Sequence, residues 1–182
     1  MAVPGLVVLD RDGVINEDSG AFIKSVTEWH PIRGSLEAIA ALNRGGFQVV
    51  VVTNQSGVGR GLFTENTLNA IHQRMAAAVR ETGGELAAVY YCPHRPEEGC
   101  DCRKPKTALL RRLERDLGYS LGGVPFIGDR LSDIEAADAV GARAILVRTG
   151  TGAATERLIG ARSIEVFDDL AAATRLLLAE IG

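Results

Sequence analysis

Short apolar runs alternate along the chain with longer segments in which apolar residues recur at helical spacing. Such runs are typical of strands buried on both faces of a sheet, and they predict strands at 6–9, 47–52, 86–91, 124–127 and 144–147, with a weaker one at 164–167. Helices are predicted between them at 35–44, 64–82, 107–117, from 132 onwards and at 168–181. Strands that alternate with helices indicate an α/β fold, a three-layer Rossmann-like sandwich with a mostly parallel sheet.

Three polar features of the predicted helices can be placed from the pattern alone. Ser35 is suited to cap the first helix, and Ser132 with Glu135 has the spacing of a capping box. His72 lies beside the apolar stripe of the helix at 64–82, so we expect a surface or boundary position for it.

The composition bounds the class of protein. Apolar residues make up 46% and charged residues 24% of the 182 residues, which is typical of an ordinary globular protein, so we expect a single domain over 1–182. A net charge of -3 excludes a strongly basic surface for nucleic acid. Residues 1–5 lack the pattern of a signal segment, and no apolar run approaches membrane-spanning length. These features predict a cytoplasmic protein with no nucleic-acid or membrane partner, and we expect a monomer.

Two acids follow the first predicted strand directly. Asp10 and Asp12 are two residues apart, so an extended backbone places both carboxylates on one side, and Gly13 then allows the chain to turn away. Like charges this close repel unless a cation or a proton lies between them. The pair therefore indicates a metal site, an acid/base pair or both; the alternative is a strand end with two solvated acids.

Other predicted strands also end in polar groups. Ligands of a parallel sheet bind outside the carboxyl ends of its strands, so these groups should converge with Asp10 and Asp12. They are Thr53 and Asn54, Lys104, and Asp129 with Asp133. Carboxylate oxygens suit Mg²⁺, while a lysine and a hydroxyl can hold an anion. This is the outline of a phosphoryl-transfer site.

The three cysteines of the chain are clustered. Cys92, Cys100 and Cys102 form an odd set that suits no disulfide framework, but with His94 they supply four ligands within eleven residues. That is enough for a closed Cys3His zinc site. Free cysteines beside a surface histidine are the competing interpretation.

Four of these segments, in order, resemble the motifs of the haloacid dehalogenase superfamily of phosphatases. They are Asp10-Arg11-Asp12-Gly13, Thr53-Asn54-Gln55-Ser56-Gly57, Lys104-Pro105 and Gly128-Asp129-Arg130-Leu131-Ser132-Asp133. The resemblance implies that Asp10 is the nucleophile and Asp12 the general acid/base. It also implies that Thr53 and Lys104 hold the phosphoryl group.

The same resemblance implies the magnesium site. Mg²⁺ would be bound by Asp10, the backbone carbonyl of Asp12, and Asp129. Asp133 would not bind the metal directly but would contact Lys104 or a metal-bound water. The segment 10–34 is too short for a separate cap domain, and 53–104 is taken up by a helix, a strand and the cysteine segment. We therefore expect a capless fold, whose substrate-binding residues are Asn16, Thr53, Asn54, Gln55, Arg103 and Lys104.

The cysteine segment is similar to a zinc-loop subgroup that contains heptose-bisphosphate phosphatases and histidinol-phosphatases. The similarity is clearest at 90–94 and 100–105, extends over nearly the whole chain, and is closest to the heptose branch. It implies a structural zinc loop at about 92–102, which fixes Arg103 and Lys104, and a Mg²⁺-dependent phosphatase for a small phosphorylated sugar in surface-polysaccharide biosynthesis. Alternatives are a histidinol-phosphate phosphatase, a phosphotransferase, or a zinc-stabilised module without catalysis.

Overall fold

The computed structural model describes residues 5–160 and 162–182. Residues 1–4, which belong to the segment predicted to carry no signal, lie outside the described residues. Within the described part, one six-stranded sheet alternates with seven α-helices. In chain order they are β1 (Gly5–Leu9), α1 (Ser35–Arg44), β2 (Phe47–Asn54), α2 (Ser56–Gly59), α3 (Glu65–Glu81), β3 (Ala88–Cys92), α4 (Ala108–Leu117), β4 (Pro125–Gly128), α5 (Leu131–Ala139), β5 (Arg143–Val147), α6 (Gly152–Ile159), β6 (Glu165–Phe167) and α7 (Leu170–Ala179).

The sheet has the order β3-β2-β1-β4-β5-β6, and neighbouring strands in it run parallel. Leu9, at the end of β1, is paired with Val51 on one side and Ile127 on the other. The order of the strands reverses at β1, because the chain builds outwards from it in both directions. Such a reversal opens a crevice at the carboxyl ends of the strands, which is where open α/β sheets bind ligands.

Both faces of the sheet are covered, because successive strand side chains point to opposite sides. Val7, Leu9, Val49 and Val51 pack with apolar residues of α1, α3 and α7. The intervening side chains, from Leu6, Val8, Val50 and Val52, pack with α4 and α5 on the other face. The predicted α/β class and three-layer architecture are therefore confirmed.

Both predicted helix caps were wrong. The N-cap of α1 is Gly34, with φ 84°, and the Ser35 hydroxyl donates to the Val14 carbonyl instead. The helix α5 begins at Leu131, so Asp133 rather than Glu135 occupies its third position and accepts from the backbone N–H of Arg130.

Some boundaries also differ from prediction. The third strand lies two residues later at its start, at Ala88–Cys92, and the last helix is shorter, at Leu170–Ala179. The sequence pattern gave no expectation for α6. Among residues 5–160 and 162–182, no helix has the length and apolar character to cross a membrane.

Candidate active site

The crevice beside β1 holds a buried ion pair. Asp10 directly follows β1, and its backbone N–H continues the sheet by donating to the Ile127 carbonyl at 2.9 Å. Its Oδ1 accepts from the backbone N–H of Arg11 at 2.8 Å and from Nζ of Lys104 at 3.0 Å. Nζ also contacts Oδ1 of Asp133 at 2.7 Å and the Val52 carbonyl at 2.7 Å. Residues from two other motifs, Asp10 and Asp133, thus converge on Lys104.

Acids outnumber bases in this buried cluster. One carboxylate oxygen from each of Asp10, Asp129 and Asp133 lies within 4.8 Å of the others. Burial, then the charges of Asp133 and Asp129, raise the pKa of Asp10 well above its ordinary value, although Lys104 opposes them. Burial and then Asp133 raise the pKa of Asp129 to about 6. Burial would lower the pKa of Lys104, but Asp10 and Asp133 outweigh it and raise this pKa.

One buried oxygen of Asp129 accepts no hydrogen bond from the described residues, although Nε of Arg130 lies 4.0 Å from it. Its Oδ2 accepts from the backbone N–H and the hydroxyl of Thr151, at 2.8 and 3.1 Å. Its Oδ1 is buried and accepts a hydrogen bond from none of the described residues. A hard cation satisfies such an oxygen and also reduces the repulsion with Asp10 and Asp133. The donor set therefore fits Mg²⁺.

Two glycines far apart in sequence frame the carboxylate of Asp129. Gly13 and Gly150 have φ of 81° and 58°, and a Cβ on either one would collide with Oδ2 of Asp129. The Thr149 hydroxyl fastens the two segments by donating to the Gly13 carbonyl at 2.6 Å. Positive φ and this close approach both require glycine here.

Asp12 is held by donors on both of its oxygens. Oδ1 accepts from Nε and Nη2 of Arg11, at 3.0 and 2.7 Å, and from Nδ2 of Asn16 at 2.9 Å. Oδ2 accepts from Nε2 of Gln55 at 2.8 Å. Burial acts to raise the pKa of Asp12, but the charge of Arg11 and these hydrogen bonds outweigh it and hold this pKa below its usual range.

Arg11 and His72 belong to this site although sequence reasoning missed both roles. Arg11 has no exposed surface, and His72 is buried as well, so the predicted surface or boundary position of His72 was wrong. Nη1 of Arg11 lies 3.2 Å from Nε2 of His72. The signal that could have found Arg11 is a cation between two acids at the end of a buried strand. Nothing local in the sequence marks His72 as its partner.

Not all of the predicted substrate-binding side chains face the cleft. Asn16 has no exposed surface and lies outside the lining of the cleft, where its Nδ2 donates to Oδ1 of Asp12. Thr53 is also fully buried, and its hydroxyl accepts from Gln55 at 3.0 Å. Asn54 lines the cleft, while its amide bridges the backbone N–H and carbonyl of Lys104 at 3.0 and 3.1 Å.

Two arginines flank the mouth of the cleft. Arg103 lines it, and Nη1 of that guanidinium is buried with no hydrogen-bond partner among the described residues. Arg130, which sequence reasoning did not single out, also lines it and donates to Asp18 at 2.6 Å. Phe22 and Ile23 supply apolar surface on the loop between β1 and α1. The cleft therefore combines an acidic floor with a cationic and partly apolar rim.

The four predicted zinc ligands converge at the end of β3. One atom from each of Cys92, His94, Cys100 and Cys102 lies within 4.8 Å of the others. Nδ1 of His94 is 3.2 Å from Sγ of Cys102, and that sulfur is 2.8 Å from Sγ of Cys92. Three sulfurs and one imidazole nitrogen make a donor set that fits a closed structural zinc site.

The cysteine loop is fastened to the segment that contacts Asp12. The backbone N–H of Gln55 donates to the Cys92 carbonyl at 2.7 Å, and that of Gly59 donates to the Pro93 carbonyl at 2.9 Å. At its other end, Cys102 is followed directly by Arg103 and Lys104. A metal that fixes this loop would therefore also fix Gln55 and Lys104.

Comparison with known proteins agrees with this geometry. Residues 101–173 match the family model described as HAD-hydrolase-like. A D-glycero-β-D-manno-heptose-1,7-bisphosphate 7-phosphatase of Pseudomonas putida is 51% identical over 173 residues, which cover 95% of this chain and 99% of that protein. The chain belongs to this haloacid dehalogenase-like phosphatase family. The resemblance noted from its motifs is thus confirmed.

Solved structures place the chain in the same family. The crystal structure of D,D-heptose 1,7-bisphosphate phosphatase from Bordetella bronchiseptica, complexed with magnesium and phosphate, matches with a TM-score of 0.94 at 47% identity and covers 97% of this chain and 99% of that chain. The enzyme of the same name from Burkholderia thailandensis matches with a TM-score of 0.76 at 40% identity over 96% of this chain and 99% of that one. The family fold therefore extends over nearly the whole chain.

Proposed function

We propose that this chain is a Mg²⁺-dependent phosphatase that hydrolyses the C7 phosphate of D-glycero-β-D-manno-heptose 1,7-bisphosphate, in the biosynthesis of nucleotide-activated heptose for lipopolysaccharide core or surface polysaccharide. The observation that carries the proposal is the buried cluster in which Lys104 contacts Asp10 beside the oxygen of Asp129 that has no hydrogen-bond partner among the described residues. Relatives that are about half identical and carry this name support the choice of substrate.

The first chemical step belongs to Asp10. Two donors hold its Oδ1, which leaves Oδ2 as the atom that we assign to attack on phosphorus. A bond from Oδ2 to phosphorus forms while the bond from phosphorus to the C7 oxygen breaks, which gives an aspartyl phosphate. Lys104 holds the transferring group, and its ammonium offsets the negative charge that develops on it. The buried Thr53 supports the site through Gln55, whose Nε2 donates to the Thr53 hydroxyl at 3.0 Å.

The protons are assigned to Asp12. Its Oδ2 gives a proton to the departing C7 oxygen and then takes one from the water that attacks the aspartyl phosphate. That attack breaks the bond between phosphorus and Asp10, releases inorganic phosphate, frees Asp10 as a carboxylate and leaves Asp12 protonated again. The depressed pKa of Asp12 favours the carboxylate form that the water step needs.

We assign the two metals to separate places. Asp10, the backbone carbonyl of Asp12, and Asp129 would hold Mg²⁺, with Asp133 behind them on Lys104. Bound Mg²⁺ neutralises negative charge on a transferring phosphoryl group. The four ligands of the cysteine loop would hold a structural Zn²⁺, because a closed set leaves no open position for substrate.

The cationic rim suggests why a bisphosphate should be preferred. A second phosphate at the far end of the sugar needs its own cation, and Nη1 of Arg103 has no hydrogen-bond partner in the described part of the chain. Arg130 already pairs with Asp18, so Arg103 is the better candidate. Its planar fork suits phosphate oxygens, and a lysine would not replace it well. Asn54 and Gln55 also line the cleft, so we assign them to contact with the sugar.

The substitution Arg103→Ala should lower kcat/KM for heptose 1,7-bisphosphate. The loss should correspond to about 2–4 kcal/mol of transition-state stabilisation, because a charge-assisted contact is lost in a partly desolvated site. It should scarcely affect a monophosphate, which lacks the distal group. Steady-state kinetics on both substrates check this, with Arg111→Ala on the surface of α4 as the matched arginine control. Equal losses on both substrates would reject the distal-phosphate role.

The substrate itself is tested by comparing kcat/KM for the two anomers of heptose 1,7-bisphosphate with kcat/KM for histidinol phosphate, each with Mg²⁺. We expect a heptose bisphosphate to be preferred by at least about 10²-fold, because a rim built for a second phosphate gives histidinol phosphate nothing to bind there. A faster reaction with histidinol phosphate would favour that alternative. Transfer to an added alcohol would indicate a phosphotransferase, and no turnover at all a binding module.

We further propose that residues 1–182 act as one capless domain, as a cytoplasmic monomer without a nucleic-acid or membrane partner. The net charge of -3 supports the lack of a nucleic-acid partner. Sedimentation of the purified protein tests the monomer.

A further inference from the structure

Arg11 is a buried arginine, so its guanidinium needs hydrogen-bond partners within the protein. Its side chain has no exposed surface, although it carries a permanent charge. A buried cation is tolerated only when its donors are paired. Nε and Nη2 are paired with Oδ1 of Asp12, and Nη1 is paired with Nε2 of His72. The guanidinium is thus held at both ends, by Asp12 on one side and α3 on the other.

His72 can fill this place only as a hydrogen-bond acceptor. A guanidinium has donors and no acceptor, so Nε2 must accept and the ring proton must lie on Nδ1. Burial, and then the charge of Arg11, lower the pKa of His72 to about 3, which keeps the ring neutral near neutral pH. The ring of Tyr91 packs beside it, with centroids 5.8 Å apart.

The two oxygens of Asp12 are held unequally as a result. Oδ1 accepts three hydrogen bonds, two from Arg11 and one from Asn16, whereas Oδ2 accepts one from Gln55. Turning the carboxylate about its side-chain bonds would break the fork of Arg11. The hydrogen bond from Nη1 to His72 holds the guanidinium in place, so it cannot move with the carboxylate to keep those two hydrogen bonds.

We propose that His72 is a positioning residue of the reaction, which acts through Arg11 to fix Oδ1 of Asp12 and so leaves Oδ2 in the cleft as the oxygen that transfers the proton. The inference rests on the proposed role of Asp12 as general acid. It assigns a part in the chemistry to α3, a helix that contributes no side chain to the lining of the cleft.

A matched pair of variants separates the acceptor from the bulk of the side chain. His72→Gln retains an acceptor near the position of Nε2, while His72→Met has similar length and presents no comparable acceptor. Met75→Ala, one turn further along α3 and in the apolar core, controls for general loosening of the helix. If His72→Met fails to fold, His72→Phe serves instead, because it retains a ring against Tyr91 and removes the acceptor.

The readout is kcat/KM for heptose 1,7-bisphosphate, whose alkoxide leaving group needs a proton, against kcat/KM for p-nitrophenyl phosphate, whose leaving group needs little. Melting temperatures are measured in parallel. We expect His72→Met to lower the first by about 10- to 100-fold, the scale of a small misplacement of a catalytic group, and the second by no more than a few-fold. His72→Gln should restore most of the difference, and Met75→Ala should leave the ratio of the two unchanged.

Equal losses on both substrates, or an unchanged ratio in folded His72→Met, would overturn the inference. So would the same change of ratio in Met75→Ala. Asp12→Asn measured beside them keeps the two hypotheses apart. If Asp12→Asn alters the ratio and His72→Met does not, the positioning role fails alone. If neither alters it, the acid role of Asp12 fails as well.

Discussion

Asp10→Asn should abolish phosphate release from every phosphate ester, with a loss of at least about 10⁴-fold in kcat, because no carboxylate remains to attack phosphorus. The change is nearly isosteric and lies in a buried position, so the loss should reflect chemistry rather than shape. Phosphate release from heptose 1,7-bisphosphate and from p-nitrophenyl phosphate is the measurement.

The stability of Asp10→Asn provides the control for its loss of activity. The pKa of Asp10 is raised, above all by burial, so its ionised form is disfavoured in the folded protein. A neutral amide should therefore not lower the melting temperature, and Lys104 retains its ion pair with Asp133. The variant must be free of protein in which the introduced asparagine has deamidated to aspartate. Activity above about one per cent of wild type in such a preparation would contradict the role of Asp10 as nucleophile.

Asp12→Asn should affect substrates according to their leaving groups. For an alkyl ester such as heptose 1,7-bisphosphate, kcat/KM should fall by ~10²–10⁴-fold, the usual contribution of a general acid. For p-nitrophenyl phosphate the fall should be far smaller, because nitrophenolate leaves without a proton. Both values are taken from initial rates at limiting substrate, where kcat/KM reports the transfer to Asp10.

Loss of the Asp12 charge also affects the fold. Arg11 is fully buried, so without its charged partner we expect a lower melting temperature. A smaller folded fraction lowers both values of kcat/KM by the same factor. Their ratio therefore still measures how much proton donation to the leaving group contributes. Equal losses on the two esters would reject Asp12 as the acid.

The sequence was sufficient to predict how the carboxyl ends of the strands come together. Asp10, Thr53 and Asp129 each follow an apolar run, and a parallel sheet brings such ends to one edge. The contact of Lys104 with Asp133, at 2.7 Å, agrees with the place predicted for Asp133. These predictions needed only the periodicity of the strands and the order of the motifs.

Contacts between elements far apart in the chain could not be predicted in this way. Helical spacing shows which face of α3 is apolar, but not that His72 at its edge meets a buried arginine. The expected capping box failed because the carboxylate of Asp133 accepts from the backbone N–H groups of Asp129 and Arg130, which starts α5 at Leu131. The close approach of Gly13 to Gly150 spans most of the chain, and no local pattern records it.

Nucleophilic attack by Asp10 predicts a covalent phosphoryl intermediate on this residue. Asp12→Asn should be phosphorylated readily by p-nitrophenyl phosphate but should hydrolyse the aspartyl phosphate slowly, because the base for water is missing. Reduction of the quenched protein with borohydride converts an aspartyl phosphate to homoserine, which peptide mass spectrometry locates. We expect homoserine at position 10, dependent on Mg²⁺ and on substrate. Phosphate release in wild type with no modified residue at position 10 in either protein would contradict nucleophilic attack by Asp10 and would indicate direct attack by water.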